Sequence, residues 1–498
     1  MSPDARPNTT LRLYSALIAG ISIVIPATLI TRLFLNFRHQ YFLTHVEGAW
    51  LTCASDFLHG VFYRPLFSSL GYGGTRYFPL YFVLTGVFSR IFGSLETSGL
   101  ALSGASVVLL CCAAYVFMRR FNVSLLLRVA GVAAVLAVDT TQQALFSAKG
   151  DSLAAMLNLW GVVLCLKPKA SRAALYLAAL LFTLAFATKL TTVFGVAAVV
   201  LGWAFARRYK EASQLALATA CGYILALGAM YLASDGRVFD IFRACASAGG
   251  SIFYTLQAPL HLLFKALEAD PVFLLFLVSA AALGLTSYKD KEDTTQILPI
   301  YFVLALLVTT VIFGSPGIGI NHFLDLHVAA VLLIVLSISR SPQLAEVGTG
   351  LLALCLLVAC VPTAQGLHDD PRRRSFPADA QEAVQRIPAI SGADSRPILA
   401  ENPLVVLKAG KTPYLLDPFM FRILARTHPA LAKDFWEKMT HRGFSAIILQ
   451  CDPSSAEGKT WYTEKHFGGE FLQDLDANYA FSYSVGDMYV YTPKQARP

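Results

Sequence analysis

Long apolar runs broken by short, basic punctuation fill the first three quarters of the chain. Crossing a hydrocarbon core takes about 20 helical residues. Runs of that order recur near residues 11–33, 97–118, 125–143, 151–166, 173–189, 192–206, 214–233, 270–287, 297–314, 322–339 and 346–364, which predicts about eleven crossings. The first run, Leu11 to Leu33, lacks a small-residue cleavage pattern at its end and reads as a retained transmembrane helix. The pattern then changes. A polar stretch from about Gln365, with Asp369, Asp370, Pro371 and Arg372 to Arg374, leads into shorter alternations. Pro397–Glu401, Pro413–Leu416 and Ser445–Gln450 read as strands, His428–His441 as an amphipathic helix and Tyr479–Tyr491 as a hairpin. The expectation is a transmembrane domain over 1–364 and a soluble α/β domain over 365–498.

Composition agrees: 55% of the residues are hydrophobic and 14% charged, against about 25% charged in soluble domains. The net charge of +8 marks topology rather than a nucleic-acid partner. If Arg6 and Arg12 are cytoplasmic, alternate loops carry Arg119, Arg120 and Arg128, then Lys167, Lys169 and Arg172, then Arg207, Arg208 and Lys210, then Lys289 and Lys291, then Arg340. Counting the short apolar piece Phe78 to Phe92 as a crossing would throw every later basic cluster outside. It is therefore read as a re-entrant or interfacial helix, and the first outside loop spans 34–96. On this count the chain is a multi-pass protein of the inner membrane, with a cytoplasmic N-terminus and a periplasmic C-terminal domain. Six of the nine cysteines (Cys111, Cys112, Cys165, Cys221, Cys355, Cys360) sit in apolar runs, so neither a disulfide framework nor a metal knuckle is indicated.

Candidate chemistry collects in the outside loops. The first holds His45-Val46-Glu47-Gly48-Ala49-Trp50, then Asp56, Arg64, Tyr72, Arg76 and Tyr77. A carboxylate at the membrane surface suits the general base that glycosyl transfer to a hydroxyl requires, and nearby cations suit a leaving phosphate. Interfacial loops are also rich in Tyr, Trp and charge for purely structural reasons. The second outside loop contains Lys149 and Asp151, the latter equally readable as a helix cap. Lys189 at the outer end of a crossing must snorkel or bind an anion. Asn321, His322 and Asp325 line another helix entrance, with His322 read as pocket wall rather than metal ligand. The glycine-rich pieces Gly71–Gly74 and Gly314–Gly319 lack the Lys-Ser/Thr of a phosphate loop, so no nucleotide-sugar site is indicated.

Together these residues resemble the integral-membrane glycosyltransferases of the GT-C fold, a group that includes protein O-mannosyltransferases and the aminoarabinose transferase. Glu47 with Trp50 resembles the acidic first-loop motif, and Tyr77-Phe78-Pro79-Leu80-Tyr81 the juxtamembrane signature. Asp151 resembles the second acid, Thr188-Lys189 the Thr-Lys that ends a later helix, and Asn321 to Asp325 an Asn-Tyr-Phe-Leu-Glu-like stretch. The resemblance implies inverting transfer of a sugar from a polyprenyl-phosphate donor to a glycan, lipid or protein acceptor. Glu47 and Asp151 would be catalytic, with Glu47 the base or a ligand of Mg²⁺ or Mn²⁺. Lys189 and an arginine such as Arg64 or Arg76 would neutralise phosphate. Asp56, Tyr72, Tyr77, Lys149, Asn321, His322 and Asp325 would line the substrate site, and membrane lipids would surround the donor tail. Val46 stands where the family's usual first acid would be. The competing class is a multi-pass transporter or lipid or glycan flippase, which also buries charge among many crossings.

Overall fold

The structure, a computed structural model, describes residues 9–37, 43–69, 71–167, 171–247, 251–287, 296–315, 317–373, 382, 385–386, 395–485 and 488–495. Arg6, Lys169, Lys289, Lys291 and Arg374, used above for topology or for the linker, lie outside them. Each expected crossing coincides with helix. In chain order the membrane part contains α1 (Thr9–Phe37), α2 (His45–Leu58), α3 (Pro79–Phe92), α4 (Leu95–Arg120), α5 (Leu125–Leu136), α6 (Asp139–Leu145), α7 (Asp151–Cys165) and α8 (Arg172–Thr188). It continues with α9 (Val193–Phe205), α10 (Tyr209–Ala233), α11 (Arg237–Ser247), α12 (Ile252–Leu256), α13 (Ala258–Ala269), α14 (Pro271–Ser287), α15 (Ile297–Ile312), α16 (Leu324–Arg340) and α17 (Ala345–Arg373). Among the described residues five helices are long and apolar enough to cross a membrane singly, and α3, α7, α8, α9, α14 and α15 are shorter apolar ones. α16 is enclosed: Leu324 to Ile338 are all buried, as befits a helix apolar on every side. Two of the basic loops meet at one end of the bundle, where the Arg340 guanidinium lies 5.2 Å over the Phe121 ring.

The run read as one crossing at 125–143 is broken, with α5 and α6 bent by 76°. Buried Asp270 explains the break. Its Oδ2 accepts from the Thr140 N–H and hydroxyl, each at 3.0 Å, and its Oδ1 accepts from the Phe273 N–H at 3.0 Å. One carboxylate thereby satisfies orphan donors at the starts of both α6 and α14. On the other side of the bend Gln142 donates to the Leu136 and Ala137 carbonyls and to Thr363 Oγ1, while its own Oε1 accepts from Arg32 at 2.8 Å. The sequence pattern also passed over α11 to α13, which occupy the stretch between the expected seventh and eighth crossings.

The C-terminal part forms a four-stranded sheet from β3 (Ile398–Ala400), β4 (Ala446–Leu449), β5 (Tyr479–Val485) and β6 (Met488–Pro493), in the spatial order β3-β4-β6-β5. β3 and β4 are parallel and the remaining pairs antiparallel. β5 and β6 are the expected hairpin, and the helix Pro429–Thr440 lies where an amphipathic helix was expected. Pro413–Leu416, read as a strand, makes a single parallel bridge from Leu415 to Tyr72 instead. Tyr72 belongs to the two-stranded β1-β2 hairpin of the first loop, Phe67–Ser68 with Gly71–Tyr72. The domain thus docks on the loop end of the bundle. α18 (Pro403–Lys408) packs there against α2, and Lys408 pairs with Glu96 at 2.9 Å. At the contact, a Cβ on Gly48 would lie 2.2 Å from Asn402 Oδ1, so only glycine admits this approach.

Candidate active site

Three consecutive residues, Lys149-Gly150-Asp151, join the parts of the site. Glu47 is the third residue of α2, and its Oε2 accepts the Thr44 N–H at 2.9 Å and the Thr44 hydroxyl, a capping box that fixes its rotamer. Its other oxygen faces the Lys149 ammonium at 3.0 Å. Two residues on, Asp151 opens α7. Its Oδ1 accepts from Lys189 Nζ at 2.6 Å and from the Asn321 amide at 3.0 Å. Lys189 occupies an extended residue at the break between α8 and the short 3₁₀ turn Leu190–Thr192. Both pairs are mostly shielded from solvent: Lys149 and Glu47 side chains are 21% and 5% exposed, Lys189 and Asp151 15% and 12%. Gly150 makes this convergence possible. A Cβ there would stand 3.1 Å from Thr188 Cγ2 and 3.3 Å from both Trp50 and Tyr81.

Aromatic rings line the same place. Trp50 stacks on Tyr77 at 4.3 Å and meets Tyr81 edge-on at 5.2 Å. Tyr81 is tied down by donating to the Gly99 carbonyl at 2.8 Å, with Ser103 Oγ also within 2.8 Å. Ser103 in turn donates to the Lys149 carbonyl at 3.2 Å. The juxtamembrane Tyr-Phe-Pro-Leu-Tyr segment thus supports the carboxylate-bearing loop from beneath.

Other residues singled out in the sequence distribute differently. His322 lies beside the Asp151–Lys189 pair with Nδ1 buried and unpartnered. Asp325 is 7% exposed and lies beside Asn158 and Tyr301. Arg76 is exposed, with its guanidinium 5.9 Å over the Phe419 ring of the C-terminal domain. Tyr72 is buried against Phe421 at the interdomain bridge. Arg64, 2% exposed, is committed elsewhere: Nε and NH2 donate to the two oxygens of Asp56 and NH1 to the Pro413 carbonyl, all at 2.7 Å. Burial raises the Asp56 carboxyl above its ordinary value, although Arg64 pulls the other way.

A divalent ion held by Glu47 needs several further oxygen ligands. Position 46 is Val, and the charged group facing Glu47 is the Lys149 ammonium. These residues do not fit Mg²⁺ or Mn²⁺ at that carboxylate. A second group, unmarked by any sequence motif, does have metal-binding character. Among the described residues His45, Glu401 and His466 offer ligand atoms that all lie within 4.8 Å of one another. Burial and the neighbouring His466 push the His45 imidazole down to about 3. Burial alone would raise Glu401, but the His466 hydrogen bond and charge, with the Gln450 N–H and the Trp461 indole, hold it down at about 2.

No protein-family model and no curated protein matches the sequence. Among solved structures the chain is similar to ArnT from Cupriavidus metallidurans bound to undecaprenyl phosphate, with a TM-score of 0.62 at 11% identity over 96% of this chain and 98% of that one. It is similar also to the same protein in the apo state, with a TM-score of 0.54 at 14% identity over 95% and 98% of the two chains. The arabinofuranosyltransferase AftD from Mycobacteria matches with a TM-score of 0.50 at 13% identity, over 94% of this chain but 41% of that one. Likeness over nearly the whole length shows the fold: a polytopic, GT-C-like helical membrane domain followed by a small α/β domain.

Proposed function

We propose that the protein is an integral-membrane glycosyltransferase that moves one sugar from a polyprenyl-phosphate donor to a glycan, lipid or protein acceptor on the outer face of the inner membrane, with inversion. The observation that carries this reading is the convergence of Glu47–Lys149 and Asp151–Lys189 through Gly150 beside the Trp50–Tyr77–Tyr81 wall. A fold shared with ArnT bound to undecaprenyl phosphate supports it. Clustering of these charges at the end of the bundle that meets the C-terminal domain suits surface chemistry better than alternating access.

In a single displacement the acceptor oxygen attacks the anomeric carbon opposite the phosphate. Glu47 takes the hydroxyl proton, and the electron pair of the breaking carbon–oxygen bond stays on the lipid phosphate. The Lys189 ammonium, held by Asp151, and the exposed Arg76 neutralise that phosphate. Lys149 keeps Glu47 oriented, and Trp50 and Tyr77 stack on the sugar. The donor tail lies between helices, in lipid.

The test uses membranes or purified protein with radiolabelled polyprenyl-phosphate sugars. Glutamine still serves a capping box, so Glu47→Gln should fold like wild type. Its turnover should fall roughly 10²- to 10⁴-fold, the usual contribution of a general base. Wild type that consumes no donor, or a glutamine variant as active as wild type, would overturn the proposal.

A further inference from the structure

We propose that His45, His466 and Glu401 form a transition-metal site of the zinc class that joins the start of α2 to the C-terminal domain. It does not depend on the transferase reading, because it rests on residues outside the Glu47–Lys149 and Asp151–Lys189 pairs. His466 and Glu401 are 2% and 0% exposed, and His466 Nδ1 lies 3.0 Å from Glu401 Oε1. The His45 ring meets His466 edge-on at 4.6 Å, and no hydrogen bond to its nitrogens is formed among the described residues.

Ligands of a tetrahedral zinc with bonds of roughly 2 Å stand about 3.3 Å apart. The His466–Glu401 separation is near that value already. A metal would replace the hydrogen bond between Nδ1 and Oε1, the Nδ1 proton passing to Nε2 of a neutral ring or to solvent from a protonated one, and a small ring movement of His45 would supply the third ligand. Two imidazoles and one carboxylate favour Zn²⁺ over Mg²⁺ or Ca²⁺, which prefer all-oxygen sets. The outer shell is built. Glu401 Oε2 accepts from the Gln450 N–H and the Tyr462 hydroxyl, each at 2.7 Å, and Oε1 from the Trp461 indole at 2.6 Å. Such bonds orient a ligating carboxylate. Trp461 also packs against both imidazoles, 4.5 Å from His466 and 6.2 Å from His45.

Because His45 is the first residue of α2 and Glu47 the third, a bound metal would tie the position of the Glu47 carboxylate to the soluble domain. Full-length protein in detergent, stripped with chelator, should bind one Co²⁺ per chain, used as a coloured stand-in for Zn²⁺, with the intense visible bands of a low-coordinate site. One equivalent of Zn²⁺ should displace it, and excess Mg²⁺ should not. His45→Gln and His466→Gln should each weaken Co²⁺ binding at least tenfold, whereas Glu47→Gln should bind like wild type. His45 sits at the edge of the domain contact, so its variant decides the matter if His466→Gln does not fold. Absence of stoichiometric Co²⁺ in wild type, or wild-type Co²⁺ affinity in His45→Gln, would overturn the proposal whatever the outcome of the donor-turnover assay.

Discussion

Arg64 is the most informative residue to remove, because the sequence offers it as a phosphate ligand while the structure engages it in an internal bidentate pair. Replacing one member of a buried ion pair costs about 3–5 kcal/mol, because the other is left uncompensated. Asp56 keeps 17% of its side chain exposed against 1% for Arg64. It can also take up a proton, helped by the upward shift that burial causes. The lower end applies, about 3 kcal/mol, of which roughly 1 kcal/mol is the lost bond to the Pro413 carbonyl. Arg64→Met should therefore unfold markedly earlier than wild type in a thermal scan in detergent. Asp56→Asn combined with Arg64→Met should recover about 2 kcal/mol, since the stranded charge is gone and only the Pro413 bond remains broken. In the folded fraction the KM for the polyprenyl-phosphate donor should stay within about twofold of wild type, well under the ~1.4 kcal/mol of a tenfold change. An Arg64→Met protein of normal stability whose donor KM rises tenfold or more would refute this, and would return Arg64 to the donor phosphate.

Gly150→Val should abolish most turnover and lower thermal stability by about 1–3 kcal/mol. The new side chain wedges between Thr188, Trp50 and Tyr81 and separates the two ion pairs; donor consumption alongside size-exclusion profiles checks it, and full activity would contradict the proposed convergence. Asp270→Ala should lower stability by about 1–3 kcal/mol, because two helix starts lose their cap. Asp270→Asn, with one acceptor oxygen where the aspartate has two, should fall between alanine and wild type in the same thermal scan.

Period and charge made the membrane part legible. Apolar runs located the membrane helices, and alternate basic loops kept Phe78–Phe92 out of the count; in the structure that segment is the 14-residue α3, one of the shorter apolar helices, as are α7, α8, α9, α14 and α15. The break at residues 137–138 was not legible, because it depends on Asp270, a lone acid in an apolar context whose partners lie far away in sequence. The hairpin and the parallel strands of the C-terminal domain followed from β-branched and aromatic runs. The bridge at Leu415 did not, since a single pairing with Tyr72 has no periodicity. Glu47, Asp151 and Lys189 drew notice because charge at a membrane surface is conspicuous. Their pairing through Gly150 is tertiary. Glu401 and His466 sit in an otherwise ordinary soluble segment, and only folding brings them to His45.

The soluble domain holds α2 near both of its ends. Asn402 presses on Gly48 and donates to the Leu43 carbonyl at 2.7 Å. The Pro413 carbonyl accepts from Arg64, which reaches back to Asp56 near the far end of the helix. Glu401 and His466 meet His45 at its first turn. A helix held at both ends is restrained from swinging, so the Glu47 carboxylate is positioned by residues after 395 as well as by the membrane helices. Lys189 is placed differently, on one extended residue between a helix and a 3₁₀ turn, with Asp151 and Asn321 as its neighbours. The two charges proposed to act on opposite sides of the anomeric carbon are therefore placed by different parts of the chain. The proposed base is held by the docked domain, and the proposed phosphate cation sits at a helix break, held by Asp151. That division makes domain docking a requirement for proton abstraction rather than for donor binding, so loosening the α2–α18 contact should lower kcat before it raises the donor KM.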